Sequence, residues 1–311
     1  MSIDLTNPIF HDDAAAREHL EAQRWPHGPE CPHCGEKRAE AITKMEGKAH
    51  RTGLYNCKSC REQFSVTVGT VFERSKVPLA KWVLATHLMA ASKKGMSAKQ
   101  IERMLGVTYK TAWFMMHRIR EAMSIDPKRD GPIGGDEKIV EADETFVGGK
   151  STNAKKGKPI PTKYPVMALV ERGGEVRVKA VPDVTGKNVR EALFTLARRE
   201  SMLVTDEASV YYHPGKEFLI HETVNHSKRQ YTDFCGFAHT NTVEGFFSLF
   251  KRGIMGSFHS VSEAHLQRYA DEFAFRYNYR KVDDATRANA ILKAAKGKRL
   301  TYRRPDKAQD A

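Results

Sequence analysis

The chain has 311 residues, with 51 Lys plus Arg against 38 Asp plus Glu and a formal net charge of +13. This length predicts two or three domains, and 40% hydrophobic residues are enough for compact cores, which argues against disorder throughout. No stretch has the roughly 18 uninterrupted apolar residues of a membrane span, and no secretory signal is evident. We therefore expect a soluble cytoplasmic protein with no membrane partner, and the surplus positive charge favours nucleic acid as the partner over a merely solvated basic surface.

Motifs, hydrophobic periodicity and a segment rich in Pro and Gly predict a multidomain α+β protein. The expected parts are a cysteine module, a helical module, a linker, an α/β domain with a mixed sheet and a basic C-terminal tail. Their boundaries are residues 1–75, 76–125, 126–135, 136–285 and 286–311 respectively.

Two C-x-x-C pairs lie in the first module, Cys31 with Cys34 and Cys57 with Cys60. Each pair is typical of a tight turn that directs two thiolates at one ion, and four thiolates complete the tetrahedral shell that Zn²⁺ prefers. We expect a zinc ribbon that needs its structural Zn²⁺ to fold, because so short a segment has a small core. A redox dithiol or an iron site would have the same spacing.

The helical module has the pattern of a helix-turn-helix. Ser97 begins one helix as its N-cap, Gly106 ends it, and Thr108 caps the next. The second helix would present a set of side chains suited to a DNA groove. These candidates are Tyr109, Lys110, Thr111, Trp113, His117, Arg118 and Arg120. A plain helical hairpin or a dimerisation arm would give a similar pattern.

Three acidic residues follow on separate elements of the α/β domain. Asp143 lies on a strand at 138–147, and Asp206 lies at the C-terminal end of a short strand at 201–206. Glu244 and Lys251 share a polar stripe on a helix that begins near Asn241. Taken singly, each acid could be a turn or cap residue, and the spacing of Asn241 and Glu244 also fits a capping box.

Taken together, the acids and their surroundings resemble the DDE triad of ribonuclease-H-like polynucleotidyl transferases. The local sequences EADETFVGGK, VTD, HTNTVEGFFSLFKRG and YADEFAFRYN resemble the ISXO-type branch of bacterial insertion-sequence transposases over roughly residues 20–285, and that branch carries an N-terminal zinc ribbon. The resemblance implies a ribonuclease-H-like domain in which Asp143, Asp206 and Glu244 bind two Mg²⁺ ions, with Mn²⁺ as a substitute. Lys251 would be the accompanying basic residue, and Asn241 is a lesser candidate for the third metal ligand.

The resemblance also implies a function: cleavage and joining of double-stranded DNA at the element ends and the target, by a homo-oligomer assembled on DNA. Lys155, Lys156 and Lys158 lie in a lysine-rich loop after the first acid and are further candidates for DNA contact. Two other functions remain open at this stage. One is a DNA-binding regulator, including a domesticated transposase, without catalysis; the other is a metal-dependent nuclease that cuts without joining.

Overall fold

The computed structural model describes residues 4–125, 127–148, 163–224 and 238–301. The helices are α1 (Asp13–Arg24), α2 (Leu79–Ala91), α3 (Ala98–Leu105), α4 (Tyr109–Met123), α5 (Pro127–Asp130), α6 (Gly186–Leu196), α7 (Tyr212–Gly215), α8 (Asn241–Gly253), α9 (Glu263–Asn278) and α10 (Asp284–Ala294). The strands are β1 (Ile42–Met45), β2 (Leu54–Cys57), β3 (Gln63–Ser65), β4 (Ile139–Gly148), β5 (Lys163–Glu171), β6 (Val176–Ala180), β7 (Met202–Asp206) and β8 (Ile220–Val224). None of the described helices is long and apolar enough to cross a membrane.

The chain forms two compact units. One comprises Met1–Met123 and Val282–Ala311, and the other comprises Ser124–Lys281. The second unit contains all three acids of the sequence motif. Each unit has its own core.

The first unit contains a small antiparallel sheet in the order β1-β2-β3. Trp25, Tyr55 and Phe64 are buried against one another beside this sheet, with ring centroids 5.4 to 5.8 Å apart. This arrangement is the ribbon that the cysteine spacing predicts.

Helices α3 and α4 form the predicted helix-turn-helix. The Ser97 hydroxyl accepts from the Gln100 amide at 3.2 Å, and the Thr108 hydroxyl accepts from the Thr111 amide at 3.3 Å. Gly106 ends α3 in the left-handed conformation, with φ of 59°, which glycine adopts without the strain of a Cβ. The local sequence therefore determines both the bounds of the helices and the turn between them.

The candidate DNA-contacting side chains of α4 do not all lie on its surface. Tyr109 and Lys110 are exposed and Thr111 is half-buried, all in the first turn. Arg118 and Arg120, by contrast, are buried. The prediction that these two arginines face DNA is wrong for this conformation.

The reason lies in the packing of the end of α4. Arg118 donates to the carbonyl oxygen of Glu73, and its guanidinium lies 5.4 Å from the centre of the Trp82 ring. His117 is buried as well, and Trp113 is half-buried with its ring 4.1 Å from that of His117. The end of α4 therefore belongs to the core of the first unit, where long basic side chains contribute their apolar stems.

Residues 286–301, expected in a basic tail, are also part of this core. Helix α10 begins at Asp284 under an Asp283 cap and packs on α2. Its buried side chains are Ala285, Ala288, Ile291 and Leu292. Arg287 donates to the carbonyl oxygen of Ala90 at 2.9 Å, and His19 and Asn289 are hydrogen-bonded at 2.9 Å. The boundary at 286 is thus corrected, because α10 completes the first unit.

The second unit is built on a five-stranded mixed sheet in the order β6-β5-β4-β7-β8. β4 pairs antiparallel with β5 and parallel with β7, so β4 lies at the centre. Helices α8 and α9 cover one face of the sheet through an apolar cluster that includes Val147, Phe246 and Phe273. Helix α6 covers the other face. The predicted fold class, a multidomain α+β protein with an α/β ribonuclease-H-like domain, is confirmed.

Candidate active site

The sheet aligns two of the three acids. β4 and β7 run parallel with a constant offset of 63 residues, as Ile139 lies beside Met202 and Glu141 beside Val204. Continued by two residues, the same offset places Asp143 beside Asp206. Since alternate residues of a strand share one face, both side chains lie on the face that α8 and α9 cover.

Helix α8 brings the third acid to this face. Val243, Phe246 and Phe250 are buried in the cluster against the sheet, whereas Glu244 and Lys251 lie on the exposed side of the same helix. The Glu244 carboxylate accepts from the Thr240 hydroxyl at 3.0 Å. The helix begins at Asn241 with Thr240 as its N-cap, so the capping-box interpretation of Asn241 and Glu244 is wrong.

An open cleft of about 730 Å³ lies between β4 and α8. Its lining is mostly polar or charged at the strand and basic toward the end of the helix. The lining residues are Asp143, Glu144, Thr145, Glu244, Phe247, Ser248, Lys251, Arg252, Met255 and Gly256. The cleft therefore presents carboxylates beside two cationic side chains.

The electrostatics of Asp143 reflect its neighbours. The pKa of Asp143 is raised to about 7, chiefly by burial and also by the nearby carboxylates of Glu144, Asp206 and Glu244, and these effects outweigh the hydrogen bond from the Glu144 amide, which lowers it. Burial also raises the pKa of Glu144, and Asp206 adds to that effect. So much negative charge held together is costly unless a cation or protons neutralise it.

This set of donors fits hard divalent cations, because Mg²⁺ prefers carboxylate oxygens. Among the residues that the structure describes, only the four cysteines form a group of three or more ligand side chains whose ligand atoms all lie within 4.8 Å of one another, so Asp143, Asp206 and Glu244 do not form such a group. A two-ion site has its ions about 3.5–4 Å apart and distributes its carboxylates over both.

Two glutamates that the sequence analysis did not select have specific partners at this site. Glu141 is fully buried and bound to residues at the start of α8, and Glu144 accepts a hydrogen bond from the buried Tyr211. Alternation along β4 signals only that they lie on opposite faces. Their partners, distant in sequence, became apparent only with the tertiary structure.

The four cysteines form a second, separate site. Their Sγ atoms all lie within 4.8 Å of one another, with Cys31 and Cys60 3.7 Å apart and Cys34 and Cys57 3.6 Å apart. A tetrahedral zinc ion with Zn–S distances of about 2.3 Å holds its sulfurs about 3.8 Å apart. The cluster therefore fits structural zinc, as predicted.

Comparison with known proteins gives three matches. Residues 134–278 match the ISXO2-like transposase domain family, and residues 11–63 match the transposase zinc-ribbon domain family. The chain is also 29% identical, over 297 residues, to an uncharacterized protein in the transposable element ISH50 of Halobacterium salinarum. That alignment covers 92% of this chain and 98% of the relative.

The zinc ribbon and the α/β domain with its clustered acids are each similar to a transposase domain family, which indicates a protein of the transposase class. These matches confirm the resemblance of the motifs to ISXO-type transposases. Lys155, Lys156 and Lys158 lie outside the described residues. Contact of these lysines with DNA stays a prediction.

Proposed function

We propose that this protein binds the terminal repeats of its own insertion sequence and catalyses metal-dependent DNA cleavage and strand transfer. The proposal is carried by the clustering of the three acids: the β4–β7 register, continued by two residues, brings Asp143 beside Asp206, and the charges of Asp206 and Glu244 both raise the pKa of Asp143. This arrangement supports a shared role for acids that are distant in sequence. The family matches support the reaction class.

Asp143, Asp206 and Glu244 would hold two Mg²⁺ ions, for which Mn²⁺ could substitute. When bound, these ions supply Lewis-acid stabilisation of the attacking and leaving oxygens of a phosphoryl transfer. Burial of Asp143 among other acids increases the attraction of the site for a divalent cation. Asn241, the lesser candidate, is exposed on the first turn of α8.

Lys251 and Arg252 would bind the DNA backbone at the other end of the cleft. Both are exposed on the last turn of α8 and line the same cleft as Asp143 and Glu244. A phosphate between the cationic and acidic groups would be attracted to Lys251 and Arg252 while its scissile bond faces the acids. The positive charges of these two side chains would also offset the repulsion between the phosphate and the carboxylates.

The helix-turn-helix would bind the element ends. Tyr109, Lys110 and Thr111 lie on the first turn of α4, and the N-terminal turns of a recognition helix are the part that contacts base edges. Arg118 and Arg120 have no part in this proposal, because they are buried. Transposition requires two element ends at once, so we expect a dimer or larger assembly on DNA.

Asp143→Asn in the full chain tests the catalytic proposal, with end-containing DNA as substrate. The variant should bind this DNA like the unaltered protein but lose Mg²⁺-dependent cleavage, because an amide is a weak ligand for Mg²⁺. Asp183→Asn, at an exposed aspartate of the same unit, is the matched control and should cleave normally. Cleavage by Asp143→Asn at the normal rate would contradict the proposal.

The products separate the alternatives. Joined strands support a transposase, whereas cut ends without joined products indicate a nuclease. Binding with no cleavage by the unaltered chain, in either Mg²⁺ or Mn²⁺, indicates a regulator. Short inverted repeats in the DNA flanking the gene would identify the substrate for these assays.

A further inference from the structure

The N-terminus of α8 is bonded to a side chain of the central strand. The first amides of a helix lack partners within it, and the side chain of the N-cap, Thr240, accepts no hydrogen bond from the first amides of α8. Instead, the Glu141 carboxylate accepts from the amides of Thr242 at 2.8 Å and Val243 at 3.0 Å, and from the Thr242 hydroxyl at 2.8 Å. A negative charge at this position also interacts favourably with the helix dipole.

The fully buried Glu141 carboxylate is accompanied by a cationic side chain, Arg172. Arg172 donates to the Glu141 carboxylate at 2.6 Å and to the carbonyl oxygen of His239, just before α8, at 2.8 Å. The Arg172 amide also donates to the carbonyl oxygen of Ile139 on β4 at 3.0 Å. Arg172 therefore connects the segment just before α8 to β4, the strand that carries Glu141.

A second tie lies on the opposite face of β4. The Tyr211 hydroxyl donates to the Glu144 carboxylate, and the Tyr211 side chain is fully buried in the cluster beneath α6. Tyr211 ends a short 3-10 helix, Ser209–Tyr211, that closely follows Asp206. Its bond to Glu144 thus holds the segment after β7 against the strand that carries Asp143.

We infer that Glu141 and Glu144 are positioning residues that fix the elements carrying Glu244 and Asp206 to the strand carrying Asp143. The two glutamates lie on either side of Asp143 along β4, and each binds a different element. This inference rests on the proposed function, because it concerns the geometry of the proposed metal ligands. It adds that one strand sets the positions of all three acids.

Hydrogen exchange of the full chain tests the two ties separately. Glu141→Gln removes the charge but keeps the size, so the first amides of α8 should exchange about fivefold faster, which corresponds to the loss of a typical helix cap. Tyr211→Phe removes only the hydroxyl and should accelerate exchange in residues 207–211 without affecting α8. Glu191→Gln, at an exposed glutamate on α6, is the matched control and should change neither segment.

A titration with Mn²⁺ in the absence of DNA, monitored by electron paramagnetic resonance, tests whether the two substitutions weaken the metal site. Each of the two variants should bind Mn²⁺ about tenfold more weakly, the usual size of an effect from residues that orient metal ligands. Excess Mn²⁺ should then restore cleavage by either variant. Loss of a merely structural contact would lower the melting temperature without this change in metal affinity.

Three results would overturn the inference: unchanged exchange in α8 after Glu141→Gln, faster exchange across the whole unit in both variants, or unchanged Mn²⁺ affinity in both. If Glu141→Gln does not fold, Thr242→Val removes one donor to the buried carboxylate, and faster exchange at the start of α8 is again the supporting result. Failure of the proposed function gives a different pattern. The unaltered chain would then neither cleave nor join DNA, while the exchange and Mn²⁺ results held.

Discussion

Removal of the zinc ion should unfold the ribbon of the first unit while leaving the second unit folded. The perturbation is chelation of the metal, or the single substitution Cys57→Ser, which removes one of four thiolate ligands. The apolar clusters of the second unit are made only of its own residues, so that unit should stay folded. The result should be the disappearance of β1, β2 and β3.

The magnitude follows from the apolar contacts that would remain. Trp25, Tyr55 and Phe64 form three ring pairs, each worth about 0.5–1.5 kcal/mol beyond burial, or about 3 kcal/mol together. Structural zinc contributes about 10–16 kcal/mol in comparable small modules. The ring–ring contacts alone are therefore about three- to fivefold smaller than the contribution of the ion.

The assay is hydrogen exchange with and without chelator, together with spectrophotometric release of zinc. We expect one zinc ion per chain at this site, loss of amide protection throughout β2, and unchanged protection in β4 and β5. Ser59→Ala is the matched control, because Ser59 lies between two of the ligands and its hydroxyl, which the substitution removes, donates to Glu36 at 2.7 Å. Full protection of β2 in the metal-free chain would refute the reasoning.

Other substitutions give equally definite expectations. Phe250→Ala should lower the unfolding free energy of the second unit by about 3–5 kcal/mol in denaturant titrations, and Leu249→Ala, at a half-buried neighbour, by less. Lys110→Ala should weaken DNA binding without a change in stability, and it should reduce by about 1 the slope of log binding constant against log salt concentration. Arg118→Ala should instead lower the thermal stability of the first unit, because Arg118 is buried. Gly106→Ala should cost about 1–2 kcal/mol in a melting experiment, entirely from its positive φ, since a Cβ there meets no atom within 4 Å.

Local signals in the sequence predicted the elements of the site well. The strand carrying Asp143, the short strand ending at Asp206 and the helix carrying Glu244 all lie where alternation or helical periodicity indicated. Cysteine spacing predicted the zinc cluster, because two short turns determine where their own thiolates point. Each of these features depends mainly on residues close together in the chain.

The errors arose where long-range packing decides the outcome. Arg118 was expected at the surface, where most arginines lie. In the fold its guanidinium is buried, because it donates to the carbonyl oxygen of Glu73 and packs on the ring of Trp82. The spacing of Asn241 and Glu244 left a capping box open as an alternative, yet Glu141 supplies the cap from a strand about 100 residues earlier. Neither partner can be identified from neighbouring residues.

Packing of α10 on α2 has a consequence for synthesis and for truncation. During translation, α10 leaves the ribosome after the whole of the second unit, so the nascent chain cannot complete the core of the first unit until then. A nonsense codon after Lys281 would spare every proposed metal ligand. It would nevertheless leave the α10-contacting surface of α2 bare, so the damage would fall on the unit that contains the zinc ribbon, at the opposite end of the gene.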